Sequence, residues 1–88
     1  MTREQIKKKL KLDEIGSFQE GRAWVIKGNK YGHVDKNGNI TTPIIYDGIG
    51  NFYEGEAWVR INDFGFDINI NGYPIEHKNY YILIKSIF

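Results

Sequence analysis

The chain has 88 residues, 41% of them hydrophobic and 26% charged, a composition that fits one globular domain with a thin core and excludes a second independent domain. Lys and Arg number 12 against 11 for Asp and Glu, so the formal net charge of +1 gives no general attraction to nucleic acid or anionic lipid, and we predict no nucleic-acid partner. Cysteine is absent, which excludes disulfides, thiolate catalysis and cysteine-ligated zinc.

The N-terminal segment is predicted to form a short helix. Thr2 followed by Gln5 fits a capping box, and Ile6 and Leu10 stand one helical turn apart, which indicates a helix over roughly residues 3–11. We expect its contribution to the core to be small. The segment is polar and Lys-rich without an apolar run of signal-peptide length, and no stretch approaches the roughly 20 apolar residues of a membrane span. We therefore predict a cytoplasmic protein with no membrane contact.

An internal repeat occupies most of the chain. The eleven residues 15–25 recur as residues 49–59 with eight identities, an offset of 34 residues, and chance does not produce such a match. The predicted organisation is a single domain, residues 1–88, with four segments: an N-terminal helix (1–14), a first repeat (15–48), a second repeat (49–75) and a C-terminal strand (76–88).

The spacing within the repeat is not uniform. Asn37-Gly38 recurs as Asn71-Gly72 at an offset of 34, whereas Tyr31-Gly32 matches Phe64-Gly65 at an offset of 33. The sequence therefore predicts a one-residue deletion in the second repeat, followed by a compensating insertion.

The first repeat is predicted to begin with a tight β-hairpin. Gly28-Asn29 readily takes the positive φ angles of a two-residue hairpin turn, and runs rich in β-branched and aromatic residues flank it. The turn fixes which residues face each other across the hairpin. The expected pairs are Lys27–Lys30, Val25–Gly32, Trp24–His33, Ala23–Val34 and Arg22–Asp35.

Two further turns complete the predicted repeats. Residues 35–39 are expected to form a three-residue loop with Gly38 in the left-handed region, because this loop pairs Ile40 with Val34 and keeps the apolar face continuous. In the second repeat, a turn at residues 62–63 lines up one apolar face. That face comprises Ala57, Val59, Ile61, Phe64, Phe66 and Ile68.

The C-terminal segment differs from the repeats. Tyr80–Ile84 is apolar at every position, which is typical of a strand covered on both faces. We predict a homodimer formed through this strand. The predicted fold class is mainly β: tandem antiparallel β-hairpin repeats forming a small twisted sheet, with a short N-terminal helix.

These residues resemble the bacterial WG-repeat family. Its unit reads roughly as an aromatic residue, two further residues, then Gly-x-Ala-x-Val, a short turn, Trp-Gly-aromatic-aliphatic-Asp, and a Gly turn leading to aliphatic-Pro-x-x-Tyr-Asp. The signature Trp is Tyr31 in the first repeat and Phe64 in the second. The resemblance covers roughly residues 15–75 and implies a β-hairpin repeat linked with protein interaction and without catalytic residues. The matching residues are Phe18, Gly21, Ala23, Val25, 31–35, Gly38, Pro43 and Tyr46-Asp47 in the first repeat, and Phe52, Gly55, Ala57, Val59, Phe64-Gly65, Gly72 and Pro74-Ile75 in the second.

The predicted interaction surface follows from strand alternation, which places Trp24 and Trp58 opposite the small core residues. Exposed tryptophans in equivalent positions can stack on a sugar, a quaternary amine or a protein hot spot. The alternative is that the neighbouring repeat or a dimer mate covers them. We expect the double substitution Trp24→Ala and Trp58→Ala to leave the fold intact and abolish binding. The complete predicted surface is Arg22, Trp24, His33, Trp58 and Arg60.

No constellation of catalytic residues stands out, and we predict no enzyme activity, cofactor or metal. His33 and His77 have no fixed partner in the sequence, so a structural or surface role is favoured over acid–base catalysis. The leading prediction is a non-catalytic protein-interaction module, an adaptor, inhibitor or immunity-type protein of a bacterium or phage. The alternative is a module that binds a carbohydrate or an amine with Trp24 and Trp58.

Overall fold

The computed structural model describes residues 1–75, so the predicted C-terminal strand at Tyr80–Ile84 and the homodimer through it lie outside the described residues. The predicted fold class is confirmed: the described chain is antiparallel β with one short helix. Its strands divide between two sheets, of order β1-β2-β3-β4 and β5-β6-β7. The elements are α1 (Arg3–Leu10), β1 (Glu14–Ile15), β2 (Arg22–Lys27), β3 (Lys30–Asp35), β4 (Ile40–Tyr46), β5 (Gly48–Ile49), β6 (Glu56–Ile61) and β7 (Phe64–Asn69).

The N-terminal helix forms as predicted but contributes more to the core than expected. The Gln5 N–H donates to Thr2 Oγ1 at 3.1 Å, and the Thr2 N–H donates to Gln5 Oε1 at 2.8 Å, which completes the capping box. Lys11, with φ of 55°, ends the helix in the left-handed region. Because the chain reverses there, Leu12 joins the fully buried Ile6 in the core of the first repeat.

The register of the first hairpin is confirmed at every predicted pair. β2 and β3 pair antiparallel, with Trp24 opposite His33 and Val25 opposite Gly32. The turn residues Gly28 and Asn29 have φ of 58° and 66°. Positive φ at both central positions is the requirement of a type I′ turn, whose twist matches that of the strands it joins.

The second hairpin has the same length as the first, so the predicted deletion and insertion are wrong. Its turn lies at residues 62–63, 34 positions after residues 28–29, and the apolar face pairs as predicted. Phe64-Gly65 therefore lies one position earlier in its hairpin than Tyr31-Gly32. In consequence, Phe66 holds the position that Gly32 holds in the first repeat.

β4 follows β3 with a change of register. Val34 pairs with Ile40 as predicted, but Ile40 is 53% exposed, so the apolar face is not continuous there. Further along, the register shifts and β4 crosses closely over Gly32. A Cβ at Gly32 would lie 2.6 Å from the carbonyl oxygen of Thr42, so β4 can take this path only over a residue without a side chain.

The buried hydrophobic side chains form two clusters, one in each repeat. Tyr46, the last residue of β4, belongs to the second cluster although it comes from the first repeat. The first repeat thus supplies part of the core of the second. The first cluster comprises Ile6 and Leu12 of the N-terminal segment with Ile15, Ala23, Val25 and Val34 of the first repeat, and the second comprises Tyr46 of the first repeat with Phe52, Ala57, Val59 and Ile68 of the second.

Candidate interaction surface

Trp58, in the middle of β6, combines exposure with a fixed position. Its side chain is 46% exposed. A Cβ at Gly65 would lie 2.7 Å from its indole Nε1, and a Cβ at Gly48 would lie 3.5 Å from its ring. The indole therefore rests against the backbone of both neighbouring strands, β5 and β7, which carry no side chain at these positions, and it keeps nearly half of its surface open to solvent.

Arg60 lies beside Trp58, two residues further along β6 and on the same face of the sheet. Its Nη1 donates to the carbonyl oxygen of Asn62 at 2.8 Å and its Nη2 to that of Asp47 at 3.2 Å. A Cβ at Gly48 would lie 3.5 Å from Arg60 Nε as well as from the indole. We call Gly48, Trp58, Arg60 and Gly65 the Trp58 surface. It consists of the Trp58 indole and the hydrogen-bonded Arg60 guanidinium, packed on the backbone at the two glycines.

Trp24, the equivalent tryptophan of the first repeat, is more covered. Tyr31 holds the hairpin position that Gly65 holds in the second repeat, and its ring centroid lies 6.5 Å from that of Trp24. The Trp24 indole lies instead over Gly16, where an added Cβ would overlap it. The two tryptophans therefore share a strand position but differ in direction and exposure.

Arg22 begins β2 opposite Asp35. Its Nη1 lies 3.4 Å from the carbonyl oxygen of Gly21, and its Nε is buried without a hydrogen-bond partner among residues 1–75. Burial acts to raise the pKa of Asp35, but hydrogen bonds from Asn39 and Asn37 and the Arg22 charge outweigh it and hold that pKa below its ordinary value. Arg22 therefore lies next to an ionised carboxylate without donating to it.

His33 does not lie on the surface, and its place in the predicted interaction surface is corrected. The side chain is completely buried, with Nδ1 2.9 Å from Thr42 Oγ1, Nε2 2.9 Å from the carbonyl oxygen of Gly50, and its ring 4.6 Å from that of Phe52. Because a carbonyl can only accept, Nε2 carries the proton and Nδ1 accepts from the Thr42 hydroxyl. Alternation assigns His33 to a face but does not show that the second repeat covers that face.

The neutral state of His33 follows from this environment. Burial lowers its pKa from 6.5 to about 4, outweighing the hydrogen bond to Gly50, which raises it; the Arg22 charge lowers it further. The role is structural: the imidazole joins β3 and β4 of the first repeat to the start of the second. Of the five predicted surface residues, the structure thus places Trp58 and Arg60 side by side, Arg22 and Trp24 at alternate positions of β2, and His33 inside.

The sequence reading missed the polar links between the repeats. The carboxylate of Glu20 accepts from the backbone N–H groups of Glu54 and Gly55, the latter at 2.8 Å. Within the first repeat, Lys30 forms an ion pair with Asp47, and the Asp47 carboxylate also accepts from the Asn62 N–H of the second repeat at 2.7 Å. The hydrogen bond from Lys30, followed by one from the Asn62 N–H, holds the pKa of Asp47 below its ordinary value. The only signal in the sequence was that a glutamate recurs at the equivalent position of each repeat, Glu20 and Glu54. Nothing in the neighbouring residues shows that the Glu20 carboxylate binds the backbone of Glu54.

Two kinds of feature are absent from residues 1–75. No group of three or more His, Asp or Glu side chains there could hold a metal ion. In that part of the chain no helix has the length and apolar character needed to cross a bilayer.

The chain matches a known protein family. The family model described as WG containing repeat matches twice, at residues 4–31 and 31–63, which together span more than half of the chain. The search of curated proteins found no match, nor did the search of solved structures. The resemblance predicted from the sequence is confirmed.

Proposed function

The chain belongs to the WG-repeat family, and we propose that it is a non-catalytic module that binds a protein partner through the Trp58 surface. The observation that carries the proposal is an indole 46% exposed and seated on backbone, next to a guanidinium with two hydrogen bonds. Tryptophan and arginine are the residue types that most often dominate the binding energy of protein interfaces. The role we propose is that of an adaptor, inhibitor or immunity-type protein of a bacterium or phage.

The fixed geometry of the Trp58 surface favours binding. Ordering a free side chain at an interface costs roughly 0.5–1.5 kcal/mol, and both Trp58 and Arg60 are already held by their neighbours. The second repeat also exposes further aromatic side chains that can extend a contact area. These are Tyr53 (74% exposed) and Phe64 (65%).

A second function is favoured by one feature of the same surface. Because backbone supports one side of the Trp58 indole and solvent reaches the other, the ring can stack on a sugar or a quaternary amine. Trp24 suits this function less, since Tyr31 and Gly16 cover much of it. The alternative proposal is therefore a carbohydrate or amine site centred on Trp58.

The test is capture of a partner from a lysate of the native host by the full chain, followed by calorimetry with the purified partner. Trp58→Ala is expected to weaken binding by roughly 30-fold, the effect of removing a hot-spot side chain. Tyr73→Ala is the matched control, an exposed aromatic outside the Trp58 surface, and is expected to change affinity little. Equal affinity of the Trp58→Ala variant and the unaltered chain would show that the proposed surface is wrong.

A fluorescence titration separates the two functions. Sugars and choline are added to the Trp24→Phe variant, which retains only Trp58. A saturable change in Trp58 emission supports the small-ligand function. No change, together with a captured protein, supports the protein-binding function.

A further inference from the structure

Four tight hairpin turns lie in the described part of the chain, and each has a residue of positive φ at its first position: Glu20, Gly28, Glu54 and Asn62, with φ between 51° and 58°. The bonds that close such a turn come from the residues flanking it. At Glu20-Gly21, for example, Gln19 and Arg22 exchange both backbone bonds, at 2.7 and 3.0 Å. The N–H groups of the turn residues are left to find other acceptors.

At Glu54-Gly55 the acceptor is a carboxylate. Both N–H groups donate to the two oxygens of Glu20. Consecutive backbone N–H groups in a turn of this kind form a small concavity that favours anions. In the second repeat, the anion-binding concavity of the turn is therefore occupied by the Glu20 carboxylate.

Two other turns follow the same pattern with one bond each. The Gly28 N–H donates to Asp13 Oδ2 at 2.8 Å. The Asn62 N–H donates to Asp47 Oδ2 at 2.7 Å. In this protein, a carboxylate on the first N–H of a hairpin turn is therefore the rule.

The turn at Glu20-Gly21 has the same backbone and no such acceptor. Its φ angles of 52° and 77° match the 51° and 80° of Glu54 and Gly55. No oxygen of residues 1–75 accepts from the N–H of Glu20 or Gly21.

The charge beside the two turns differs in sign. Arg22 follows Glu20-Gly21, with Nη1 3.4 Å from the Gly21 carbonyl oxygen and a buried Nε that has no hydrogen-bond partner among the described residues. The corresponding residue after Glu54-Gly55 is Glu56. The turn whose N–H groups already bind a carboxylate is followed by an acidic residue, and the turn whose N–H groups bind none is followed by a cation.

We propose that the backbone N–H groups of Glu20 and Gly21, with the guanidinium of Arg22, bind a carboxylate of a partner protein. The carboxylate is a Glu or Asp side chain or a chain terminus. This proposal rests on the proposed protein-binding function and adds the chemistry of the partner. Within residues 1–75 the core of the first repeat is covered by Ile6 and Leu12 of the N-terminal segment, whereas the core of the second repeat receives Tyr46 from the first. We therefore assign the acceptor to a partner protein and not to a preceding repeat.

The test is an NMR titration of the full ¹⁵N-labelled chain at constant ionic strength. The probe is N-acetylglutamate N-methylamide, and the neutral glutamine analogue is the control. The amide protons of Glu20 and Gly21 are expected to shift downfield with millimolar saturation, since a lone carboxylate contact is weak. Glu54 and Gly55 should not respond, because Glu20 already fills their turn.

Two variants make the titration decisive. Glu20→Ala removes the carboxylate from the Glu54-Gly55 turn, so the amide protons of Glu54 and Gly55 should move upfield. These amides should then respond to the probe, which makes them an internal standard for carboxylate binding at such a turn. Arg22→Gln should weaken binding of the probe at Glu20-Gly21 by about two- to fivefold, the effect of one charge pair near the protein surface, while the hairpin stays folded. Response of Gly55 in Glu20→Ala without response of Gly21 in the unaltered chain would overturn the proposal, as would an equal response to the glutamine analogue.

The source of the carboxylate is tested last. A partner captured through the Trp58 surface must shift the Glu20 and Gly21 amides, and binding that leaves them unmoved would overturn the assignment to a protein carboxylate. The titration with the probe needs no partner. Failure of this site and failure of the proposed function are therefore separate outcomes.

Discussion

The two repeats share their Glu-Gly turn and differ most in their third strand. At a constant spacing of 34 residues, the φ angles of Glu20-Gly21 and Glu54-Gly55 agree within a few degrees. The third strand of each unit, β3 or β7, instead carries Tyr-Gly-His in the first repeat, residues 31–33, and Gly-Phe-Asp in the second, residues 65–67. The Glu-Gly turn is therefore common to the unit, whereas the residues of the third strand decide what packs onto it.

The largest difference is at Gly32 and Phe66. Gly32→Val places a side chain where Thr42 O lies 2.6 Å from the position of Cβ, so we expect a loss of about 3 kcal/mol of stability, as for a severely overpacked site. Urea denaturation followed by circular dichroism measures it. Gly50→Ala is the control, since its nearest atom lies at 3.7 Å, and should change stability by less than about 0.5 kcal/mol. Unchanged stability of Gly32→Val would mean that β4 does not cross there.

The next effect concerns His33, whose counterpart is Asp67. Burial lowers its pKa from 6.5 to about 4, so the folded state binds the proton less readily than the unfolded state. Stability is full above pH 6.5 and falls as the pH drops towards about 4, with a loss on the order of 2 kcal/mol by pH 5. Urea midpoints between pH 7 and 5 measure it. His33→Gln should flatten this dependence, and an unchanged slope in that variant would assign the loss to other groups.

A smaller effect on stability distinguishes the equivalent glutamates of the two repeats, Glu20 and Glu54. Glu20 binds two N–H groups of the second repeat, so Glu20→Ala is expected to cost about 1 kcal/mol, the scale of one charged hydrogen bond at the surface. Hydrogen exchange at Gly55 should quicken. Glu54→Ala is the matched control in the other repeat and should stay within about 0.5 kcal/mol. Equal costs for the two variants would contradict the link between repeats.

The smallest effect is spectroscopic. In single-tryptophan variants, Trp58 (from Trp24→Phe) should emit at longer wavelength and be quenched more by acrylamide than Trp24 (from Trp58→Phe), because Tyr31 and Gly16 shield Trp24. Steady-state fluorescence with a quencher series measures both. The reverse order would remove the basis for choosing Trp58 as the binding residue.

The hairpins themselves were accessible from the sequence, for local reasons. Two-residue turns are encoded by residues that tolerate positive φ, such as Gly28-Asn29, and the position of the turn then fixes every facing pair. The capping box at Thr2 and Gln5 is equally local. These features need no knowledge of the rest of the molecule, and all were confirmed.

The remaining features depend on contacts between distant segments. Strand alternation predicted the face of the sheet on which His33 lies. It could not predict that Gly50 and Phe52, from the second repeat, cover that face. Matching Tyr31-Gly32 to Phe64-Gly65 by residue type suggested a deletion, yet the turn positions govern the register. The contact of Glu20 with Glu54 joins residues 34 apart and has no local signature.

The aspartates that accept from the hairpin turns, Asp13 and Asp47, define where a repeat can be cut. Asp13 and Asp47 each stand 15 residues before the turn N–H that they bind, and each lies two residues before the stretch where the sequence identity begins. A cassette for transplantation or tandem assembly that started at Ile15 or Ile49 would leave that carboxylate behind. The transferable building block begins at Asp13 or Asp47 and carries the closure of its own hairpin with it.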